Sequence, residues 1–448
     1  MAEKLWPWPG ERQSPHNYVI LYVLKWSLLG LTTGGLAGVG VAVFLRLLTW
    51  LIGVWTQVPH YTFFIAFILM FNSWLVNRLA PQVSGGSDKV IAAIHQQNGF
   101  LHLADVPVKI LATVITIAAG GSAGKEGPAA QIGATLASAW ARFLRVSPDD
   151  CRTIVICGVS AGFAGVFGTP VTGAIFAVEV VFVGRILYEP LYPALIAGLA
   201  GYYVCRLAGI SYFYLPVSVQ PGSYLLIQAV GLGVVCGFMA IFFIKIMLAV
   251  KQWFAGLPGG RPAKALAGGM ILTLIGHNIS PLYLGLSLEL LETSLSGQPI
   301  SLDAFFWKTV ATAITLTCGG TGGIITPILV VGAVTGNMVA QLAGAVDISF
   351  YAVIAMAALL AGTVNTPVAA VFMTAELFGS ALIPYAAIGC LASYLVSGHR
   401  SVYPSQVIAT GKRPYLCDDE GKCVGAAVRP EQESFYCMLR RKWLSKSE

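Results

Sequence analysis

Apolar residues fill the stretches 18–55, 61–80, 224–250 and 351–363 with few interruptions. A helix needs roughly 20 apolar residues to cross the hydrocarbon core of a bilayer. The first stretch exceeds that length, which predicts a tilted or partly buried helix. Other apolar runs, 106–119 and 171–183, are shorter and are bounded by Gly or Pro. Lipid tolerates a broken helix only where it is buried in protein or lines a polar cavity. The pattern therefore predicts an all-α polytopic membrane protein of tilted and broken helices, with helix ends inside the bundle rather than a plain stack of spans.

Composition points the same way. The chain has 448 residues, 56% hydrophobic and 10% charged, with 50 Gly, whereas soluble domains carry about 25% charged residues. Much of its net charge of +7 lies at the ends, on Lys4 and Arg12 and then on Lys412, Arg413, Arg429, Arg440, Arg441, Lys442 and Lys446. Basic juxtamembrane ends predict cytoplasmic placement of both termini in a cell or plasma membrane. The same placement argues against nucleic-acid binding. Residues 1–16 are polar and the first apolar run is too long for an h-region, so no cleavable signal is expected. Cys157, Cys205, Cys236, Cys318 and Cys390 lie in apolar runs and are expected to act as small buried hydrophobes. Cys417 and Cys423 flank a polar turn and fit a reduced cytoplasmic loop, the alternative being a metal or redox pair. No metal or cofactor is expected.

The chain repeats itself. ATVITIAAGGSAGKEGPAAQIGA, from Ala112, aligns with ATAITLTCGGTGGIITPILVVGA, from Ala311, 199 positions later. Identical pairs include Thr116/Thr315, Gly120/Gly319, Gly124/Gly323 and Pro128/Pro327. The same spacing pairs Gly38 and Phe44 with Gly237 and Phe243. Thr169-Pro170-Val171 and Glu179 match Thr366-Pro367-Val368 and Glu376, 197 positions apart. A repeat of this size in a membrane bundle is that of a transporter or channel, with the ion site at the repeat interface near the midplane. The expected organisation is a segment 1–17, a first membrane repeat 18–222, a second 223–400, and 401–448 closing the membrane core and forming a short tail. Arg142, Arg145 and Arg152 face uncharged counterparts in the second half. One such loop pair assigns no membrane side.

The Gly-rich breaks carry the candidate chemistry. In GGSAGKEGP, 120–128, Pro128 suits the first turn of a helix, and the glycines before it leave backbone N–H groups accessible. Such groups at the positive end of a helix bind anions without a full countercharge. A bare anion in low dielectric costs tens of kcal/mol by Born solvation and needs replacement ligands. A fixed cation would hold it too tightly to let it pass. The matching break, GGTGGIITP at 319–327, offers a second helix start, with Ile324 and Ile325 just before Pro327. Glu126 lies inside the first break as a carboxylate at membrane depth. It can compete with an anion for the helix-end field, and protonation would release the site. The alternative is a Glu favoured by the helix dipole and paired with Lys125.

GKEGP at 124–128, GIITP at 323–327 and VYPSQ at 402–406 resemble the signature regions of the CLC family of chloride channels and proton–chloride exchangers. The resemblance covers nearly the whole membrane part. It implies a homodimer in the lipid bilayer, each subunit built from two inverted repeats with its own pathway for chloride or a similar anion. It implies that Glu126 is the gating glutamate, within an anion-binding set of Ser87, Gly124, Lys125, Glu126, Gly127, Ile324, Ile325 and Tyr403. The backbone amides of Ile324 and Ile325 and the hydroxyl of Tyr403 would line the central site. The bacterial-type form, without cytosolic regulatory domains, is expected because the tail after Gln406 is short.

Two departures matter. The family pattern Gly-Ser-Gly-Ile-Pro is replaced by Gly86-Ser87-Asp88-Lys89-Val90. Ser87 is kept, but a carboxylate beside a chloride site is repulsive unless Lys89 or the helix start neutralises it. Exchangers of the family usually carry a glutamate directly after the position of Glu179, and here Val180 stands there. Glu126 and Glu179 form the candidate proton pathway. Val180 predicts anion flow with weak or absent proton coupling, while Glu179 and Glu376 also suit a structural role at helix ends. A proton-coupled exchanger, and transport of fluoride or nitrate, stay open. Gly158-Val-Ser160-Ala-Gly162 imitates a nucleophile elbow but sits in an apolar helical run, where small residues serve helix packing. No enzyme is expected.

Overall fold

The computed structural model describes residues 15–58, 61–80, 85–217, 223–412 and 420–427. The basic N-terminal residues, Arg413, Cys417 and the last basic cluster lie outside them. So do both termini and the sidedness expected of them.

Sixteen helices form among the described residues, in two sets of eight that run in the same order. The first set is α1 (Pro15–Trp55), α2 (Ile65–Leu79), α3 (Ser87–Gln96), α4 (Asp105–Ala118), α5 (Glu126–Phe143), α6 (Pro148–Phe167), α7 (Pro170–Glu179) and α8 (Leu191–Leu207). The second is α9 (Ser223–Gly256), α10 (Arg261–Asn278), α11 (Leu288–Leu295), α12 (Ala304–Thr317), α13 (Ile325–Ala343), α14 (Ile348–Val364), α15 (Pro367–Phe378) and α16 (Ile383–Ser397). Six helical segments are long and apolar enough to span a bilayer, and α3, α7, α11 and α15 are among the shorter pieces between them. The long outer helices α1 and α9 expose Leu24, Leu28, Leu31, Ile227 and Phe238, as a lipid-facing surface requires. Helices α6, α13 and α14 are mostly buried and form the centre of the bundle.

Helix ends follow local chemistry. Ser147 caps α6 by accepting from Asp150 N, Pro148 fills its first turn, and Gly168 ends it with a left-handed φ of 74°. Helix α14 begins on an Asp347 cap and ends on Asn365 at φ 63°. Pro170 and Pro367 open α7 and α15. Gly158 and Gly162 press α6 against α5, with the position of a missing Cβ only 2.4 Å from Gly133 O and 2.5 Å from Ala129 O respectively. Ser160 between them donates to Ala194 O at 2.7 Å. The elbow-like motif is therefore a helix contact.

The repeats are stitched by reciprocal bonds. Gly120 and Gly319 share a φ of 103°, which a side chain would strain. Thr321 N donates to Thr116 Oγ1 and Ser122 N donates to Thr315 Oγ1, each at 3.0 Å. Glu179 accepts from Val368 N at 3.0 Å and Ala369 N at 2.8 Å, at the start of α15. Glu376 accepts from Val171 N at 3.1 Å and from Thr172 N and Oγ1 at 2.8 and 2.6 Å, at the start of α7. Each carboxylate thus caps the other repeat's helix. Beyond helices, strands Phe182–Val183 (β1) and Val407–Ile408 (β2) pair in parallel.

Candidate functional site

The two Gly-rich breaks meet at the centre. Gly124 N donates to Gly323 O and Gly323 N to Gly124 O, both at 2.7 Å, as a single antiparallel bridge between equivalent residues. This contact juxtaposes the N-termini of α5 and α13. The start of α3 joins them: a Cβ built on Gly127 would lie 2.9 Å from Gly323 Cα and 3.5 Å from Ser87 Oγ. No protein acceptor takes the N–H groups of Ile324 and Ile325 among the described residues. Three helix starts therefore turn their positive ends inward on one point, the arrangement that replaces an anion's water shell.

Glu126 is 1% exposed. Its Oε2 accepts from Thr326 N at 3.1 Å and makes a short hydrogen bond with the Thr326 hydroxyl, while Oε1 has no protein partner. The carboxylate of the first repeat thus sits on the helix start of the second, where a free anion would be drawn. It forms no ion pair with Lys125, whose pairing with it was the alternative from sequence; the ion pairs among the described residues are elsewhere. Lys125 instead precedes α5 and accepts through its carbonyl from Ala129 N. Gly124 is needed for this contact, since a Cβ there would meet Thr326 Oγ1 at 2.6 Å and Glu126 Oε2 at 2.7 Å.

Ser87 and Tyr403 are buried neighbours. Neither hydroxyl completes a well-formed hydrogen bond within the protein. A buried hydroxyl without a partner costs about 1–3 kcal/mol, so two side by side suit a ligand that accepts from both. Tyr403 is carried on the loop after α16, which Gln406 anchors. The Gln406 amide donates to Val180 O and Val364 O, each at 2.8 Å, and accepts from Asn365 and Ser401. Lys412, expected in a basic tail, is instead folded inward. Its ammonium donates to Asn365 Oδ1 at 2.5 Å and lies 3.7 Å from the centre of the Tyr394 ring.

The altered signature resolves into two separate contacts. Lys89 pairs with Asp105 at 2.6 Å, so it does not neutralise Asp88. Asp88 accepts from Ser405 N at 2.8 Å and Ser405 Oγ at 3.0 Å. Glu179, the other candidate proton group, spends both oxygens on the α15 start. Sequence reasoning missed Thr326 and Ser405. Thr326 is the repeat mate of Gly127, so a hydroxyl placed opposite the acidic break was a usable signal.

Comparison with known proteins fits this geometry. Residues 62–398 match the family model described as voltage gated chloride channel. A chloride/fluoride channel protein of Pseudomonas syringae pv. tomato is 31% identical over 401 residues, covering 87% of this chain and 88% of the relative. The voltage-gated ClC-type chloride channel ClcB of Shigella flexneri is 27% identical over 318 residues, covering 67% and 75%. A solved CLC-type fluoride/proton antiporter superposes with a TM-score of 0.81 at 26% identity, covering 88% of this chain and 99% of that one. A slow cyanobacterial Cl-/H+ antiporter shares the fold, with a TM-score of 0.73 at 21% identity over 83% and 94%.

Proposed function

The chain belongs to the voltage gated chloride channel family and is an integral, multi-pass anion-transport protein, and from that premise we propose that it moves chloride or fluoride along a pathway gated by Glu126. The observation that carries this reading is the Glu126 carboxylate held by Thr326 at the α13 start. A tethered anion and a free one compete for the same donors. Protonation of Glu126 removes its charge and yields the place to the halide, which the N–H groups of Ile324 and Ile325 and the hydroxyls of Ser87 and Tyr403 then receive. Fluoride enters the proposal through the two relatives described with it.

Coupling to protons is weak in this reading. Val180 cannot titrate, and Glu179 is engaged by two backbone N–H groups. The second reading is stoichiometric proton antiport, favoured by the two antiporters of the same fold. Liposomes loaded with chloride or fluoride, with halide and proton fluxes recorded together, test both. Halide efflux with little uphill proton movement is the expected result. A robust uphill proton signal that disappears in Glu126→Gln establishes antiport instead, and no efflux of either halide removes the function. Homodimeric assembly and cytoplasmic termini complete the proposal, and cross-linking in membranes and protease access to the two ends test them.

A further inference from the structure

The anion hydroxyls of Ser87 and Tyr403 come from segments more than three hundred residues apart, the bond closing between them having a sequence separation of 317. Their spacing is set by the segments that carry them, because neither hydroxyl is fixed by a well-formed hydrogen bond within the protein. Gln406 secures its end of the Tyr403 loop to the ends of α7 and α14. That anchorage says nothing about α3. On the α3 side the contact is Asp88, whose two oxygens accept from the N–H and hydroxyl of Ser405 at 2.8 and 3.0 Å. Asp88 adjoins Ser87, and Ser405 is separated from Tyr403 by Pro404 alone, whose ring restricts the link. Ser87–Asp88 on one side and Tyr403–Pro404–Ser405 on the other are thus joined by the Asp88–Ser405 hydrogen bonds, with the two buried hydroxyls carried on the joined segments.

We propose that Asp88 is a positioning residue for halide recognition: by latching Ser405 it sets the distance between the Ser87 and Tyr403 hydroxyls. The inference rests on the halide reading above. It also accounts for a carboxylate beside an anion site. Both oxygens are spent on Ser405, and the charge lies in the first turn of α3, where the helix dipole offsets it.

Position and charge predict opposite signs. If Asp88 acts by its charge, removing the charge tightens halide binding. If it acts as a latch, Asp88→Ala weakens it. Halide affinity of the full-length protein, measured by calorimetry with chloride and with fluoride, decides between them. The latch predicts about a tenfold weakening in Asp88→Ala, on the scale of a hydrogen bond to a charged group. It also predicts a changed fluoride-to-chloride preference and a smaller loss in Asp88→Asn, which keeps an acceptor for Ser405 N. Ser405→Ala removes one of the two bonds and moves affinity the same way, and it serves if Asp88→Ala does not fold. Because the latch acts through Tyr403, Asp88→Ala in a Tyr403→Phe background should have little further effect. Tighter binding in Asp88→Ala, unchanged binding, or an undiminished loss in the Tyr403→Phe background overturns the latch while wild-type transport leaves the halide reading intact. Absence of halide binding and transport in the wild type removes both.

Discussion

Replacing Thr326 with Val tests the competition at the centre of the site. The two side chains have nearly the same shape, so the change removes a hydroxyl from a residue that is 3% exposed without opening a cavity. Glu126 Oε2 loses its short bond to that hydroxyl and keeps the Thr326 N–H at 3.1 Å. A hydrogen bond to a charged group contributes about 1.5–3 kcal/mol net. Since 1.4 kcal/mol is a factor of ten, the tethered carboxylate should occupy the site roughly 10- to 100-fold less tightly. The surviving N–H favours the lower end of that range. Apparent affinity for a competitor scales with the fraction of protein whose site is open. Chloride affinity, titrated by calorimetry at neutral pH, should therefore rise by up to about tenfold in Thr326→Val. Thr326→Ser should restore the wild-type value. The gain should be absent in a Glu126→Gln background, where no charged tether remains and any residual change measures the hydroxyl's own contact with the halide. If Glu126→Gln strengthens chloride binding and Thr326→Val leaves it unchanged, the carboxylate is not held by Thr326 in the working protein and the reasoning fails.

Three further outcomes are expected. Under the proposed gate, Glu126→Gln should flatten the dependence of halide efflux on pH, because the amide has no charge to lose; efflux from liposomes that keeps the wild-type pH dependence would falsify this. Glu179→Ala and Glu376→Ala should each destabilise the protein and lower its melting temperature in detergent, since each leaves backbone N–H groups of the opposite repeat without an acceptor, at a cost of about 1–3 kcal/mol per unsatisfied group. Gly319→Ala should fail to give stable protein in a thermal melt, because its φ of 103° disfavours a side chain and the new Cβ would lie 2.7 Å from Ser73 Cβ.

Much of this architecture was legible in the chain because lipid makes polarity expensive. Breaks such as 120–128 and 319–327 announce themselves as Gly and Pro inside apolar runs, and the same breaks placed Glu126 and Ile324 on helix starts. The repeat supplied the pairing of the two breaks, now visible as the Gly124–Gly323 bridge. What the chain did not disclose depends on contacts across the fold. The repeat could place Thr326 opposite the acidic break, but that its hydroxyl and N–H hold Glu126 emerges only from the fold. Asp88 reads as a repulsive charge beside Lys89 until Ser405 is found against one and Asp105 against the other. Lys412 looks like the first charge of a tail, yet Asn365 at the end of α14 draws it into the bundle. Local sequence sets helix ends and polarity; which carboxylate meets which donor is decided by packing between distant segments.

The reciprocal capping by Glu179 and Glu376 has a kinetic consequence. Many carriers expose their cargo to each side in turn by rocking one half against the other, a collective motion of roughly microseconds to milliseconds. Here such rocking would uncap α7 and α15 together and part the Thr116–Thr321 and Thr315–Ser122 bonds in the same event. The reciprocal bonds tie the halves into one frame. Under the gate proposed above, turnover would be paced by the swing of a single side chain and the arrival of its proton, and a covalent bridge welding α7 to α15 should leave the speed of halide passage untouched.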